Sequence, residues 1–327
     1  MIERIQLLRT DCTDPYRNLA MEQHLLETVP ENTCTLYLWQ NRHTVVIGRN
    51  QNAWKECRTT ALEEDGGFLA RRLSGGGAVF HDLGNLNFTF LVNKDDYDLP
   101  RQLGVIVEAC RLMGIPAECS GRNDVLSGGR KFSGNAFYEH LGKSYHHGTL
   151  LVDVDTSAMG RYLSPSKAKL EAKGVASVRS RVVNLRELKP DLTIAEMAGR
   201  MEEAFQAVYR APLTRLEEAD LDGERIEALT RRNGSWEWLY GRDLPCSVEY
   251  SGRCAWGEVS VQLSVEEGAV REARVYTDAM DWQLARTVQE AVTGCRFRLE
   301  DLQAALRGAC PGPVGEDLCR LLAEQDI

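Results

Sequence analysis

The stretch LARRLSGGGAVFHDLGN, Leu69 to Asn85, sets Arg71 and Arg72 against three consecutive glycines and ends in His81, Asp82 and Asn85. Consecutive glycines reach positive φ, so the N–H groups of Ser74–Phe80 can converge on an anion as a nest. Arg72 adds a planar fork that matches phosphate or carboxylate. A tight strand-connecting turn would use the same glycines. A flexible linker would not want two arginines or the apolar Ala78-Val79-Phe80.

Two further constellations follow. SGRNDVLSGGRKFSGNAFYEHLGKSYHHGTLLVD holds Arg122-Asn123-Asp124, then Arg130-Lys131 before the small residues Ser133-Gly134-Asn135. Lys131 would begin a strand, and the small residues after it let a ligand approach the backbone. A hairpin with a polar tip is the alternative. His146 and His147 are adjacent, so on a strand they face opposite sides and do not form a metal clip. The third stretch, KAKLEAKGVASVRSRVVNL from Lys167 to Leu185, reads as a mobile basic loop of the kind that closes over a nucleotide. Residues 161–186 carry seven basic side chains and one acid, whereas residues 187–327 hold 16 Lys+Arg against 27 Asp+Glu. A compact basic segment in a chain of net charge −9 points to a local anionic ligand or to a solvated loop.

Two familiar nucleotide loops fail on spacing. Gly142-Lys143-Ser144 ends like a P-loop, but the first glycine of that motif falls on Phe137. A dinucleotide fingerprint begun at Gly75 and Gly77 ends on Phe80, and no helix pattern follows.

These motifs need elements to hold them. IERIQLL reads as a strand, and Asp14-Pro15 starts a helix through about Val29. TCTLYLW and HTVVIG look like paired strands around a hairpin-like NR. Strands recur at FLARRL, NLNFTFLV, KFSGNAFY and SYHHGTLLVDV, with helices near Arg101–Met113 and Ala195–Tyr209. Beyond Gly241–Pro245, CSVEY, WGEVSVQLSV and AVREARVYT form a meander followed by two or three helices. The fold class is α+β. A large domain, 1–245, has mixed, largely antiparallel sheets with flanking helices, and a small α+β domain fills 246–327.

The 327 residues, 43% hydrophobic and 27% charged, are ordinary for a globular protein. No apolar run approaches the roughly 20 residues of a membrane-spanning helix. The start is too polar for a secretory leader. Ten cysteines without a C-x-x-C pair indicate neither zinc nor a disulfide framework, so a reducing cytoplasm is the expected location. The acidic balance argues against nonspecific nucleic-acid binding.

The segments ARRLSGGGAVFHDLGNLNFTF, GRNDVLSGGRKFSGNAFYEHLGKSYHHGTLL and KLEAKGVASVRSRVVNL stand in the order found in the lipoate–protein ligase A family. DPYRNLAMEQ, TVVIGRNQNAWKEC and SWEW fit it too, and the resemblance spans nearly the whole chain. It implies a biotin/lipoyl ligase-like catalytic domain with the C-terminal accessory domain of the long bacterial form. It implies that lipoate and MgATP give lipoyl-AMP and pyrophosphate. The acyl group then passes to one lysine on a lipoyl domain of a 2-oxoacid dehydrogenase complex or on the glycine cleavage H protein. The cofactors implied are ATP and Mg²⁺. Octanoate is an open alternative to lipoate.

Residue by residue, the resemblance gives the nucleotide to Arg72 and the Gly77-Ala78-Val79-Phe80 backbone. Asn123, Asp124, Lys173, Gly174 and Arg181 join them, with Asp124 a candidate for Mg²⁺; no metal-ligand set is assigned. Lys131 is the catalytic residue and touches both the adenylate phosphate and the acyl carboxyl oxygen. Arg72, Ser74, Gly75, Gly76, His81, Lys131, His147 and Gly148 line the lipoyl site. The Lys169–Val183 loop resembles the adenylate-binding loop.

Three rivals remain. An octanoyl transferase of the same superfamily would need an activated cysteine thiolate, and none of the three motifs contains a cysteine. A biotin–protein ligase would carry a different glycine–arginine signature. A noncatalytic sensor could keep the fold, though intact Arg72 and Lys131 argue against it.

Overall fold

Alternation along single strands decides the architecture. In NLNFTFLVN, Leu86, Phe88 and Phe90 point to one side of the sheet and Asn85, Asn87 and Thr89 to the other, all of them buried. The computed structural model describes residues 2–120, 124–163, 182–240, 248–266 and 268–324. They fall into two compact units. One comprises Met1–Val46, Cys57–Arg71 and Val79–Leu239; the other comprises Ile47–Glu56, Arg72–Ala78 and Tyr240–Ile327. The second unit therefore holds two short segments from early in the sequence as well as the C-terminal portion.

In the first unit the strands are β1 (Arg4–Arg9), β2 (Thr33–Trp39), β3 (Thr44–Ile47), β4 (Phe68–Arg71), β5 (Val79–His81), β6 (Asn85–Asn93), β7 (Glu118–Ser120), β8 (Asp124–Ser127), β9 (Arg130–His140), β10 (Lys143–Leu151) and β11 (Leu213–Leu216). The helices that matter here are α1 (Pro15–Thr28), α2 (Leu99–Leu112), α3 (Ile194–Tyr209) and α4 (Gly223–Asn233). Asp14 caps α1 by accepting from the Tyr16 N–H at 2.8 Å, with Pro15 at the first helical position. An eight-stranded mixed sheet runs β11-β1-β2-β6-β10-β9-β8-β7, parallel at β11-β1-β2 and antiparallel from β2 onward. One face is apolar. Leu36, Leu38, Leu86, Phe88, Phe90 and Phe132 pack there against Ile106 of α2 and Met201 and Phe205 of α3. The opposite face carries Tyr37, Trp39, Asn85, Asn87, Thr89 and His147, and α1 covers it with Glu22.

The expected β2–β3 hairpin does not form. β2 pairs with β1 and β6, whereas β3 lies between β4 and β5 in a separate three-stranded sheet. Asn41 is not a turn tip: it is buried, and Asn18 donates to its side chain at 3.0 Å. The chain instead bends at His43, which takes a left-handed φ of 34°.

In the second unit β12 (Val248–Cys254), β13 (Gly257–Glu266) and β14 (Ala269–Thr277) make the expected antiparallel meander. Helices α5 (Leu284–Val292), α6 (Leu299–Ala309) and α7 (Pro313–Ala323) complete its core through Val288, Leu306 and Leu318. Among the described residues no helix is long and apolar enough to cross a membrane.

His146 sits on the apolar face of the large sheet, ringed by Phe88, Phe90 and Phe137. Burial, with the neighbouring His147 second, pulls its pKa down to about 3, so the ring is neutral. A neutral ring donates at only one nitrogen. Nε2 lies 2.8 Å from Asn135 Oδ1 and Nδ1 lies 3.2 Å from Gln102 Oε1. Gln102 Nε2 has no other partner, so the amide turned over would donate to Nδ1 and satisfy both. The unfolded histidine protonates near pH 6.5 and the folded one does not until far lower. Its stabilising effect is therefore complete above about pH 6.5 and is lost as pH falls toward 3. Against a His146→Gln variant, wild type should lose up to about 1.4 kcal/mol more stability per pH unit below 6.5, read by urea unfolding at pH 7, 6, 5 and 4. Parallel curves would contradict a neutral His146.

Candidate active site

Ser74, Gly75, Gly76, Gly77 and Ala78 lie with Arg72 in the second unit, where they close on themselves. The Arg72 guanidinium, 7% exposed, donates to Ser74 Oγ at 3.0 Å and to the carbonyls of Gly75 and Gly77, each at 2.8 Å. Gly76 takes φ 92° and donates its N–H to the Ala279 carbonyl at 3.0 Å. A Cβ on Gly75 would stand 2.4 Å from that same oxygen, so the approach requires glycine. The base of the loop is tied by Arg72 N–H to the Ile47 carbonyl and by Arg49 N–H to the Ser74 carbonyl. Gly77 faces open space.

Val79, Phe80 and His81 form β5 in the first unit, an edge strand with β3 as its one neighbour in the sheet. Among the described strands, none pairs with the other side of Val79–Phe80. The Phe80 ring is buried, stacked on Tyr162 at 5.6 Å and edge-on to His43, so this strand offers a ligand its main chain rather than that ring. His81 is buried edge-on to Trp39, with Nδ1 3.3 Å from Asn41 Nδ2.

Lys131 stands at the start of β9, where the β8–β9 register slips by one residue. The slip lets Phe132 and Asn135 both face the α2–α3 side while Lys131 lies beside Gly134 on the other. Its ammonium is 2.6 Å from Asp124 Oδ1, and both side chains are about one-third exposed. The Lys131 carbonyl accepts from Val183 N–H at 2.9 Å, which fixes the backbone beneath the side chain. Neighbouring Arg130 pairs instead with Glu187, at 3.0 Å. Asn123, Lys173, Gly174 and Arg181, with most of the basic stretch, lie outside the described residues.

His147 shares the polar face with Glu22, Thr89 and Trp39. Glu22 Oε1 is 2.8 Å from His147 Nδ1 and accepts from Thr89 Oγ at 2.7 Å, and Thr89 accepts from Trp39 Nε1 at 3.1 Å. Gly148 permits the strands to close, because a Cβ there would meet the Gly134 carbonyl at 2.6 Å. Sequence reasoning named His147 and Gly148 but not the buried polar neighbours Glu22, Thr89 and Trp39. The available signal was the alternation of polar residues in a strand otherwise apolar. Among the described residues no cluster of three or more His, Cys, Asp or Glu could hold a metal ion. The ammonium of Lys131 beside the bare backbone of Gly134 is an arrangement suited to binding an anion.

Two family models match successive stretches of the chain. Residues 14–206 match the lipoyl protein ligase A/B catalytic domain, and residues 244–311 match the bacterial lipoate protein ligase C-terminus. A lipoate-protein ligase A from Psychrobacter cryohalolentis is 40% identical over 309 residues, 92% of this chain and 91% of the relative. P. falciparum LipL1, solved in complex with lipoate, shares the fold with a TM-score of 0.85 at 24% identity, covering 98% of this chain and all of that one. A lipoate-protein ligase A bound with ATP aligns with a TM-score of 0.62 at 26% identity, over 74% of this chain and 99% of that one.

Two glycines separate the packing of this region from its chemistry. A Cβ at Gly134 would lie 2.9 Å from Lys131 Cε and Nζ, the movable end of a flexible side chain. Gly134→Ala should therefore keep its melting temperature within a degree or two of wild type while displacing the ammonium from Asp124 and lowering turnover. At Gly148 the obstacles are the buried Asn135 amide, the Gly134 carbonyl and the Phe88 ring, so Gly148→Ala should cost about 1–3 kcal/mol of stability. Thermal melts and turnover of both variants check this. Full turnover in Gly134→Ala would mean that the ammonium's position is unimportant.

Proposed function

The chain belongs to the lipoyl protein ligase A/B family, and we infer that it is an ATP-dependent lipoate–protein ligase. The observation that carries this reading is one ammonium, Lys131, placed beside Gly134 on the polar side of the sheet. In the first half-reaction the lipoate carboxylate attacks the α-phosphorus of ATP, displacing pyrophosphate and forming lipoyl-AMP. Both reactants are anionic, so the reaction needs positive charge where they meet. Arg72 and Lys131 supply it, and the N–H groups of Gly77 and Ala78 add fixed dipoles. The open main-chain edge of Val79–Phe80 takes the base. Magnesium enters with the ATP phosphates as part of the substrate, and Asp124 would contribute a hard carboxylate oxygen. A single carboxylate suffices for that ion, which keeps most of its ligands as phosphate oxygen and water.

In the second half-reaction the ε-amine of an acceptor lysine attacks the acyl carbonyl. An oxyanion develops, Lys131 stabilises it, and AMP leaves as the amide forms. The acceptors we propose are lipoyl domains of 2-oxoacid dehydrogenase complexes and the H protein. Ser74, Gly75, Gly76, His81, His147 and Gly148 form the acyl site, and octanoate is a second candidate acyl group. Lys173, Gly174 and Arg181, outside the described residues, are adenylate-binding in this reading by their match to the family's motif.

The thioester route of the related transferases finds no support in four cysteines of the catalytic portion, Cys34, Cys57, Cys110 and Cys119. Burial pushes the thiols of Cys34, Cys57 and Cys110 up to about 12, and it raises Cys119, near Asp124 in sequence, as well. A nucleophilic thiolate needs the opposite shift.

Lys131→Ala should slow both half-reactions, each by roughly a hundred- to a thousandfold, the usual effect of losing one preorganised donor. Lys131→Arg replaces a compact ammonium with a wide fork and should rescue poorly. Arg130→Ala, whose partner is Glu187, should be mild. The assays are pyrophosphate release with ATP and lipoate but no acceptor, and transfer from synthetic lipoyl-AMP. Near-normal rates in both for a well-folded Lys131→Ala would remove the residue from the mechanism, and absence of pyrophosphate release by wild type would remove the ligase reading.

A further inference from the structure

Asn85 and Asn87 carry no role in the mechanism above, yet they are 0% and 1% exposed on the polar face of the sheet. Asn85 Nδ2 donates to Asn87 Oδ1 at 2.9 Å. After that bond, Asn85 Oδ1 and Asn87 Nδ2 are both buried without a partner. Native interiors rarely tolerate such groups unless something else satisfies them. Turning both amides over restores the mutual bond in reverse and again leaves one acceptor and one donor, so the chemistry of the pair does not depend on the amide assignment.

Their place in the sheet is defined by register. Asn87 lies opposite Thr149 on β10 and opposite Trp39 on β2, and Thr149 Oγ is 3.4 Å from the Gly134 N–H beside Lys131. Asn85 lies opposite Leu151, four residues after His81 of β5, and its own backbone is satisfied by Asp82 and Gln40. The pair therefore stands on β6, which follows β5 directly in the chain and is separated in the sheet by β10 alone from β9, the strand that carries Lys131.

A site with one free donor and one free acceptor selects by chemistry. Carboxylate, phosphate and carbonyl oxygens only accept, and an ammonium only donates; a hydroxyl does both. Lipoate and a lysine side chain have no hydroxyl, whereas ATP has two on its ribose. The base also offers a donor and an acceptor, but the open backbone of β5 already provides for it. We propose that Asn85 and Asn87 form a hydroxyl-binding subsite that takes a ribose hydroxyl of the adenylate; the inference rests on the adenylating function proposed above.

The test is lipoyl-AMP formation by the wild-type enzyme with ATP, 2′-deoxy-ATP, 3′-deoxy-ATP and ITP, followed by the same series with the double variant Asn85→Leu/Asn87→Leu. Replacing both partners by apolar groups of similar shape leaves no orphan, so the variant should melt at or above the wild-type temperature. In wild type, one deoxynucleotide should be used about 10- to 100-fold less efficiently than ATP, because the missing hydroxyl leaves both amides unmet. In the variant, that preference should vanish through poorer use of ATP, while the ATP:ITP ratio stays unchanged. Equal use of ATP and both deoxynucleotides by wild type would overturn the subsite while leaving the ligase function intact, and would mean that water fills the position. A preference that the double variant changes only for ITP would move the pair to the base and also overturn it. Failure of wild type to form lipoyl-AMP from ATP would remove the adenylating function and the subsite with it.

Discussion

The Glu22 carboxylate, 1% exposed, is held on the sheet by two hydrogen bonds to one oxygen, from Thr89 at 2.7 Å and from His147 at 2.8 Å. A carboxylate left unpaired in such a place would cost several kcal/mol, so α1 has one productive seat over β6 and β10. Asp14 starts the helix at the right residue, and Asn18, one turn before Glu22, donates to the carbonyls of Cys12 and Gln40 and to Asn41. The helix register and the sheet register are locked by the same few bonds. With α1 fixed, the alternation of β6 follows: its phenylalanines meet α2 and α3, and the Thr89 hydroxyl on the opposite side meets Glu22 of α1.

That arrangement produces a sheet with two dissimilar buried faces. The apolar face is ordinary core. On the polar face, each buried group must find a partner in the protein or in a ligand. Trp39, Thr89, Glu22 and His147 satisfy one another in series. Lys131 is satisfied by Asp124, and within the second unit Arg72 is satisfied by Ser74 and two loop carbonyls. Neither cation is held in reserve as a bare charge. An arriving anion must exchange these partners for its own, and charge-assisted bonds to phosphate are strong enough to win against neutral carbonyls. Lys131 has the harder exchange, since its present partner is itself charged, but a pair one-third exposed is screened by water and easier to part than a buried one.

Much of this was legible in the sequence because local chemistry dictated it. Pro15 after Asp14 started a helix, NLNFTFLV and SYHHGTLL alternated as strands must, and adjacent histidines on a strand were bound to part company. His146 went to the apolar side and His147 to the polar side. The TCTLYLW–HTVVIG hairpin failed because Asn41-Arg42 looked like a turn, and nothing nearby showed that Asn41 would be buried by Asn18. Glu22 was invisible for a related reason. A glutamate in a helix usually faces water, and only its long-range partners Thr89 and His147 reveal that it does not. Asn85 and Asn87 were in plain view, but strand composition alone does not distinguish a solvated polar face from a buried one.

The glycine run shows the same limit from the other side. From sequence, its three glycines offer N–H groups to an anion. In the structure the Gly76 N–H is already given to the Ala279 carbonyl, and Gly75 is pressed so close to that carbonyl that no side chain would fit. Two requirements thus meet in three residues: positive φ at Gly76 to turn the loop, and bare backbone at Gly75 for the approach to Ala279. Gly77 meets neither, since a Cβ added there would meet nothing within 4 Å and its φ is not positive. Free of packing duty, Gly77 is the position at which a ligand can approach the backbone most closely. Its carbonyl holds Arg72, so a phosphate arriving beside Gly77 would meet the guanidinium at once and could take over the bond that the loop now makes to itself.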